Sequence, residues 1–449
     1  MSATDLAPTR EVWSRVVDAA TFSESVPHDV FEDMRASGPV VWVDEPAVDH
    51  LPAGTGFWAV VGHTEVGRVL RTPKEFSSSI GLTQVYDAPP PLLPVFRSMM
   101  INMDPPEHSR LRGLLTRAFT PASVARMEKA ISARCEQLVD QVTPAPGETG
   151  RCDFARDVVT ELPLLTLADL LGMPESDRWL MFDWANRVIG MLDEEYSVSS
   201  LFDPATASPM ARAAMAARPE PDAAGRMPDS RRPGGMADLY AYARELAEHL
   251  RRHPGPDLMS LLLAAVDGEG GRVSADEFEK LFWLFCVAGN ETVRNAIPGG
   301  MQALLENPDE RARLWADPSL VDGAVEEMLR WWTPVVHFRR TAAVDTELGG
   351  RTLRAGDKVV VFFSAANRDP AVFTDPARFD LTRSPNPHIA FGTGPHFCIG
   401  AMLARAQMRA LFTTVVRRWS AVEAAGPPER LRASFQNGIK HQPVAFVAR

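Results

Sequence analysis

Phe391-Gly392-Thr393-Gly394-Pro395-His396-Phe397-Cys398-Ile399-Gly400 runs straight into the helix-like Ala401-Met402-Leu403-Ala404-Arg405, and the reading of the chain turns on this stretch. Glycines at 392, 394 and 400 remove side chains where a backbone must come close to a flat ligand. A helix that starts just after Cys398 turns free N–H groups and its positive end toward the sulfur, which favours the thiolate. A cysteine thiolate is an axial ligand that pushes electron density onto haem iron and favours O–O cleavage, so this residue in this setting points to oxygen activation. An isolated cysteine is more often a small buried hydrophobe than a metal ligand. Here the three glycines, the histidine two residues upstream and the helix start weigh against that.

Upstream, Ser274-Ala275-Asp276-Glu277 has capping-box spacing ahead of the apolar run Phe278, Leu281, Phe282, Leu284, Phe285 and Val287, which predicts a long buried helix. Its interior carries Ala288-Gly289-Asn290-Glu291-Thr292. Glycine costs about 1 kcal/mol relative to alanine in such a place, and an unpaired charge costs more. Local defects of this kind point to a function. Thr292 and Glu291 suit proton delivery, because a hydroxyl can hold water and donate, while a carboxylate that reaches solvent resupplies protons. Further along, Pro298-Gly299-Gly300 predicts a kink or break. Glu327 and Arg330 lie three apart on a helix closed by Thr333-Pro334, which alone reads as an ordinary helix ion pair. Asp104-Pro105-Pro106-Glu107 reads as a capped helix start placing His108 and Arg112 on one face, where they can clamp an anion.

Together these segments resemble the cytochrome P450 family. The cysteine loop matches F-G-x-G-x-H-x-C-x-G at every fixed position, and residues 288–292 match A-G-x-[DE]-T. Glu327 and Arg330 match E-x-x-R, Pro376-Ala377-Arg378-Phe379 matches P-x-R-F, and His108 and Arg112 match H-x-x-x-R. The matches follow family order from about Val26 to the C-terminus. Ala288–Thr292, Arg294-Asn295-Ala296 and Asn437-Gly438-Ile439-Lys440 look most like bacterial members that oxidise steroid side chains, branched lipids or terpenoids.

The resemblance implies haem b ligated by Cys398, its propionates met by His108, Arg112, Arg340 and His396, with Phe391, Gly400 and Ala288 against the ring. It makes Thr292 and Glu291 the proton-delivery pair, and Glu327, Arg330 and Arg378 a buried structural network. It bounds the substrate by the 77–101 loop, Phe285, Ala288, Val335, Val336, Phe435 and Ile439. It implies O2 as co-substrate and electrons from NAD(P)H through a ferredoxin reductase and a ferredoxin, with Arg405 and the exposed side of the Cys loop as the candidate docking places. The product would be an apolar secondary metabolite, steroid, lipid or terpenoid carrying one inserted oxygen. Two other readings stay open: peroxide-driven oxidation and a haem-binding sensor without turnover.

Composition agrees with this picture. The chain has 449 residues, 45% of them hydrophobic, without an unbroken apolar stretch near the roughly 20 residues that a bilayer requires. Its start, Met1 to Pro8, lacks a secretory pattern, so a cytoplasmic location is expected. Cysteines 135, 152, 286 and 398 form neither a disulfide framework nor a zinc spacing. A formal net charge of −11 excludes a nucleic-acid surface as the main partner. Short β-like runs at 40–43 and 57–61, with helical periodicity elsewhere, predict a mainly α fold with small β-sheets (α+β). One domain over 1–449 is expected, monomeric, with haem between the long central helix and the helix after the Cys loop. The stretch 202–235, crowded with Ala, Pro, Arg, Gly and Met, reads as a mobile insert near the substrate entrance.

Overall fold

The computed structural model describes residues 12–47, 52–88, 90–116, 119, 121–197, 205, 207–223, 225–230, 234–266 and 270–449. Residues 1–11, including the start read above for a leader, lie outside them.

The helices that matter for the site are α1 (Glu107–Thr116), α2 (Glu161–Leu171), α3 (Arg178–Ile189), α4 (Pro209–Met215), α5 (Ala237–Arg252), α6 (Ala275–Glu306), α7 (Val321–Trp332) and α8 (Ala401–Arg418). About 53% of the structure is helical, which bears out the mainly α reading. Five strands, β1 (Val40–Val43), β2 (Phe57–Val60), β3 (Phe76–Ser77), β4 (His337–Ala342) and β5 (Lys358–Phe362), form one mixed sheet in the order β1-β2-β5-β4-β3. The β2–β5 pair is parallel and the others antiparallel. Among the described residues no helix is long and apolar enough to cross a membrane.

The capping box at Ser274 forms as expected: its side chain accepts from the Glu277 N–H, and Glu277 returns a bond to the Ser274 N–H at 2.8 Å. The expected break at Pro298 does not occur, and α6 runs through it to Glu306. The two glycines after it have another cause. A Cβ on Gly299 would stand 2.1 Å from Trp332 Cγ, and one on Gly300 would stand 2.7 Å from Met328 Sδ, so they let α7 lie directly on α6.

The 202–235 stretch also differs from its reading as a loop. Its residues 202–204, 206, 224 and 231–233 lie outside the described ones, but α4 forms inside it, with Ala211 and Ala214 buried. Ser208 caps that helix and also bonds Asp177, while Arg218 grips both oxygens of buried Asp183 on α3 at 2.7 Å. Small alanines gave no apolar periodicity strong enough to read, yet they suit a helix pressed close against α5.

Candidate functional site

One cavity, enclosing about 1610 Å³ of unfilled space including its mouth, lies between α6 and the loop before α8. Cys398 opens into it from one side and Ala288 and Thr292 of α6 from the other. His108, Arg112, Arg340, His396, Phe391, Gly400, Phe285 and Val335 also line it, so the fold gathers residues up to 292 positions apart in sequence around one cavity.

The cysteine loop is held by its own backbone, with Cys398 N–H donating to the Phe391 carbonyl at 3.0 Å. Gly392 has φ +67°, a left-handed conformation that favours glycine, and open space where its Cβ would stand. Gly394 serves a different purpose from that expected: a Cβ there would meet the Leu70 carbonyl oxygen at 2.3 Å, so it admits neighbouring backbone and not a ligand. Burial raises the Cys398 thiol above its ordinary pKa, against the lowering effects of the Gly400 N–H, Arg112 and Arg405. The helix start therefore does not suffice to make the thiolate; a metal ion coordinated by the sulfur deprotonates it outright.

His108, Arg112, Arg340 and His396 converge at one edge of the cavity. The two histidine rings stand 4.0 Å apart, centroid to centroid. Both ring nitrogens of buried His108 lack a partner. Buried Arg340 bonds the Arg339 carbonyl at 2.8 Å, and His396 Nε2 meets the Met103 carbonyl at 3.0 Å. Burial first, then Arg112, brings His108 down to about 4; burial and Arg340 bring His396 to about 2; burial brings Arg340 to about 10. Nearby Asp104 offsets only part of this from a distance, its carboxylate being hydrogen-bonded to Ser77, the Ser78 N–H and Ser79 and making no ion pair with these groups. Asp104 thus pins a loop where the sequence suggested a helix cap. A thiol on one wall and a buried cationic edge lacking an anion fit an iron porphyrin with two carboxylates. Among the described residues no group of three or more His, Cys, Asp or Glu could hold a metal ion.

Thr292 Oγ1 donates to the Ala288 carbonyl at 3.0 Å on the cavity wall. Glu291 turns away from it. Its carboxylate is wholly buried, held by Arg294 and by Asn295 Nδ2 at 3.4 Å, so it does not reach solvent as the sequence reading supposed.

Three substrate candidates miss the cavity. Val336 points to the opposite face from Val335, as strand alternation dictates, into the core beneath the sheet. Phe435 meets Phe338 edge to face, with ring centroids 5.4 Å apart, and Ile439 packs on Ala155 and Trp332. Pro163, Thr166, Leu167 and Leu170 of α2, and Phe119 beside them, line it instead. Nothing in an apolar helix such as Glu-Leu-Pro-Leu-Leu-Thr-Leu distinguishes cavity from core.

Glu327 and Arg330 are fully buried and doubly bonded at 2.8 and 2.7 Å. The third arginine is not Arg378, whose side chain is exposed and which offers only its carbonyl to Arg330 at 3.0 Å. Arg383 takes its place, with Nε 3.2 Å from both Glu327 oxygens. Arg405, expected at a docking face, is committed to Glu326 at 2.6 and 2.8 Å and lies over the Phe391 ring.

A family model described as Cytochrome P450 matches residues 238–443. The chain is 36% identical over 437 residues to the steroid C26-monooxygenase of Mycolicibacterium smegmatis, covering 96% of this chain and 93% of that protein. It is 37% identical over 442 residues to the methyl-branched lipid omega-hydroxylase of Mycobacterium tuberculosis, covering 98% and 95%. A solved Mycobacterium marinum cytochrome P450 in complex with pseudoionone matches with a TM-score of 0.79 and 36% identity, over 94% of this chain and 96% of that one.

Proposed function

Because the chain belongs to the cytochrome P450 family and is a haem-thiolate monooxygenase of apolar compounds, we propose that it hydroxylates a steroid side chain, branched lipid or terpenoid held between α2 and α6. We assign its electrons to NAD(P)H, passed through a ferredoxin reductase and a ferredoxin. A monomer in the cytoplasm suits a cavity completed within one chain and cysteines that are all unpaired.

Thiolate-ligated haem supplies oxygen activation when bound. Cys398 would hold its iron, and His108, Arg112, Arg340 and His396 its carboxylates. The apolar walls, with Phe285, Leu167 and Leu170 among them, exclude water and orient the substrate by shape. Thr292 holds a donor hydroxyl at the wall facing Cys398, and Glu291, one residue back, is the proton reserve behind it.

The observation that carries this reading is the placement of Thr292 and Cys398 in one cavity whose edge holds Arg112, Arg340 and the unpartnered imidazole of His108. The same placement disfavours a peroxide-driven enzyme or a sensor, neither of which needs a proton-delivering hydroxyl. The test is the reduced, carbon monoxide-bound spectrum of wild type and of Cys398→Ser. A thiolate band in the first and its loss in the second are expected, and imidazole-type ligation in wild type would overturn the assignment. With that in place, Thr292→Ala should divert electrons to peroxide while substrate still shifts the iron spin state.

A further inference from the structure

We propose that residues 192–197, fastened to the C-terminal segment by Lys440, are the gate through which Glu291 exchanges protons with solvent; this rests on the reading of Glu291 as proton reserve. Glu291 and its partner Arg294 are enclosed by protein. The Arg294 guanidinium lies between the rings of Phe182, 4.5 Å from its centroid, and Tyr196, 4.8 Å away, and donates to Asn186 Oδ1 at 2.8 Å. Phe182 and Asn186 belong to α3, whereas Tyr196 belongs to the single turn Glu194–Ser197 at the surface. On the outer side of that turn, the Glu195 side chain is 48% exposed. The Tyr196 ring is therefore the layer between the buried pair and water.

A four-residue turn has no stability of its own. Lys440 holds this one, with Nζ 3.1 Å from Asp193 and 3.2 Å from Glu195, and 2.8 Å from Glu429 on the side of the C-terminal segment. His441 adds a contact to Glu195 at 3.2 Å, and Arg432 bonds the Leu192 carbonyl at 3.0 Å. The Lys440 and Asp193 side chains are buried while those of Glu195 and Glu429 are about half exposed, so the fastening is one local ion-pair cluster whose opening costs less than global unfolding. When the turn lifts, Tyr196 leaves Arg294 and water reaches the Glu291 carboxylate. A proton from hydronium or buffer acid in the solvent is relayed through that water to the carboxylate, the water being left neutral and Arg294 keeping its charge, and closure shuts the loaded acid off from solvent again.

Hydrogen–deuterium exchange of the holoenzyme tests the fastening, and the solvent isotope effect on product formation tests the gating. Lys440→Met should speed exchange of amides 192–197 roughly tenfold, as expected for a local opening made easier, and lower the isotope effect toward one. Lys440→Arg should leave both as in wild type. Tyr196→Ala, which removes the cap and keeps the ion pairs, should lower the isotope effect, and Tyr196→Phe should not. Unchanged exchange in Lys440→Met overturns the fastening; faster exchange with an unchanged isotope effect in both Lys440→Met and Tyr196→Ala overturns the gate. Failure of the family reading would show separately, in the carbon monoxide spectrum.

Discussion

Glu327 with Arg330 and His108 with Arg112, Arg340 and His396 are both constellations of polar groups out of water, yet they are built on opposite principles. In the first, Arg330 donates to both Glu327 oxygens and to the carbonyls of Asn367, Pro376 and Arg378, while Glu327 accepts further from Asp380, Arg383 and Asn386. In the second, cations and imidazoles face one another with no anion paired to them, and burial with mutual repulsion depresses their proton affinity more than distant Asp104 restores it. A buried charge network satisfied within the chain is architecture, whereas one left unsatisfied marks the place of a ligand.

The largest consequence should come from breaking the satisfied network. Arg330→Leu leaves Glu327 charged and buried, which costs about 3–5 kcal/mol. Urea unfolding should show that loss equally with and without cofactor; a loss seen only with cofactor would dissolve the contrast.

Acid should distinguish the second constellation. His108 takes its proton near 4 when folded, well below its usual 6.5, so between those values the unfolded chain binds more protons and stability rises with pH. Cofactor-free protein should thus lose on the order of 1–3 kcal/mol as pH falls through that window. His108→Gln should reduce the slope by one histidine's share, His396 and His337 keeping theirs, and an unchanged slope would place its origin elsewhere.

Arg340→Leu sharpens the contrast from the other side. It should weaken haem binding roughly ten- to a hundredfold, in line with about 1.5–3 kcal/mol for a hydrogen bond to a charged group. The cofactor-free protein should be no less stable, since a buried charge without a partner is removed. Equal destabilisation with and without haem would make Arg340 architectural. The smallest effect separates two neighbours: Arg383→Ala should cost about 1–2 kcal/mol through its contacts to Glu327, and Arg378→Ala less than about 0.5 kcal/mol, as for other exposed sites. A reversal would restore Arg378 to the network.

Much of the site was legible in the chain because its chemistry depends on residue identity at short spacing. The cysteine with its glycines, Ala288 to Thr292 and the His108–Arg112 pair each lie on one local element, where helix or loop geometry fixes who faces whom. Val335 was legible for the same reason, and Val336 was not, since a one-residue step on an extended segment reverses the side chain. The helix hidden in 202–235 escaped because alanine packs closely without leaving an apolar stripe.

What the sequence determined alone, then, was the set of reactive groups and the family of folds able to bring them together, because those rest on side-chain chemistry and local backbone preference. Which arginine completes the Glu327 network, whether Glu291 reaches water, and why Pro298 is followed by two glycines were decided by tertiary packing. Each of those depends on a partner dozens of residues away: Arg383 for Glu327, Tyr196 for Arg294, Trp332 for Gly299. Only the folded chain brings these within the few ångströms at which a charge is paired or a ring excludes water.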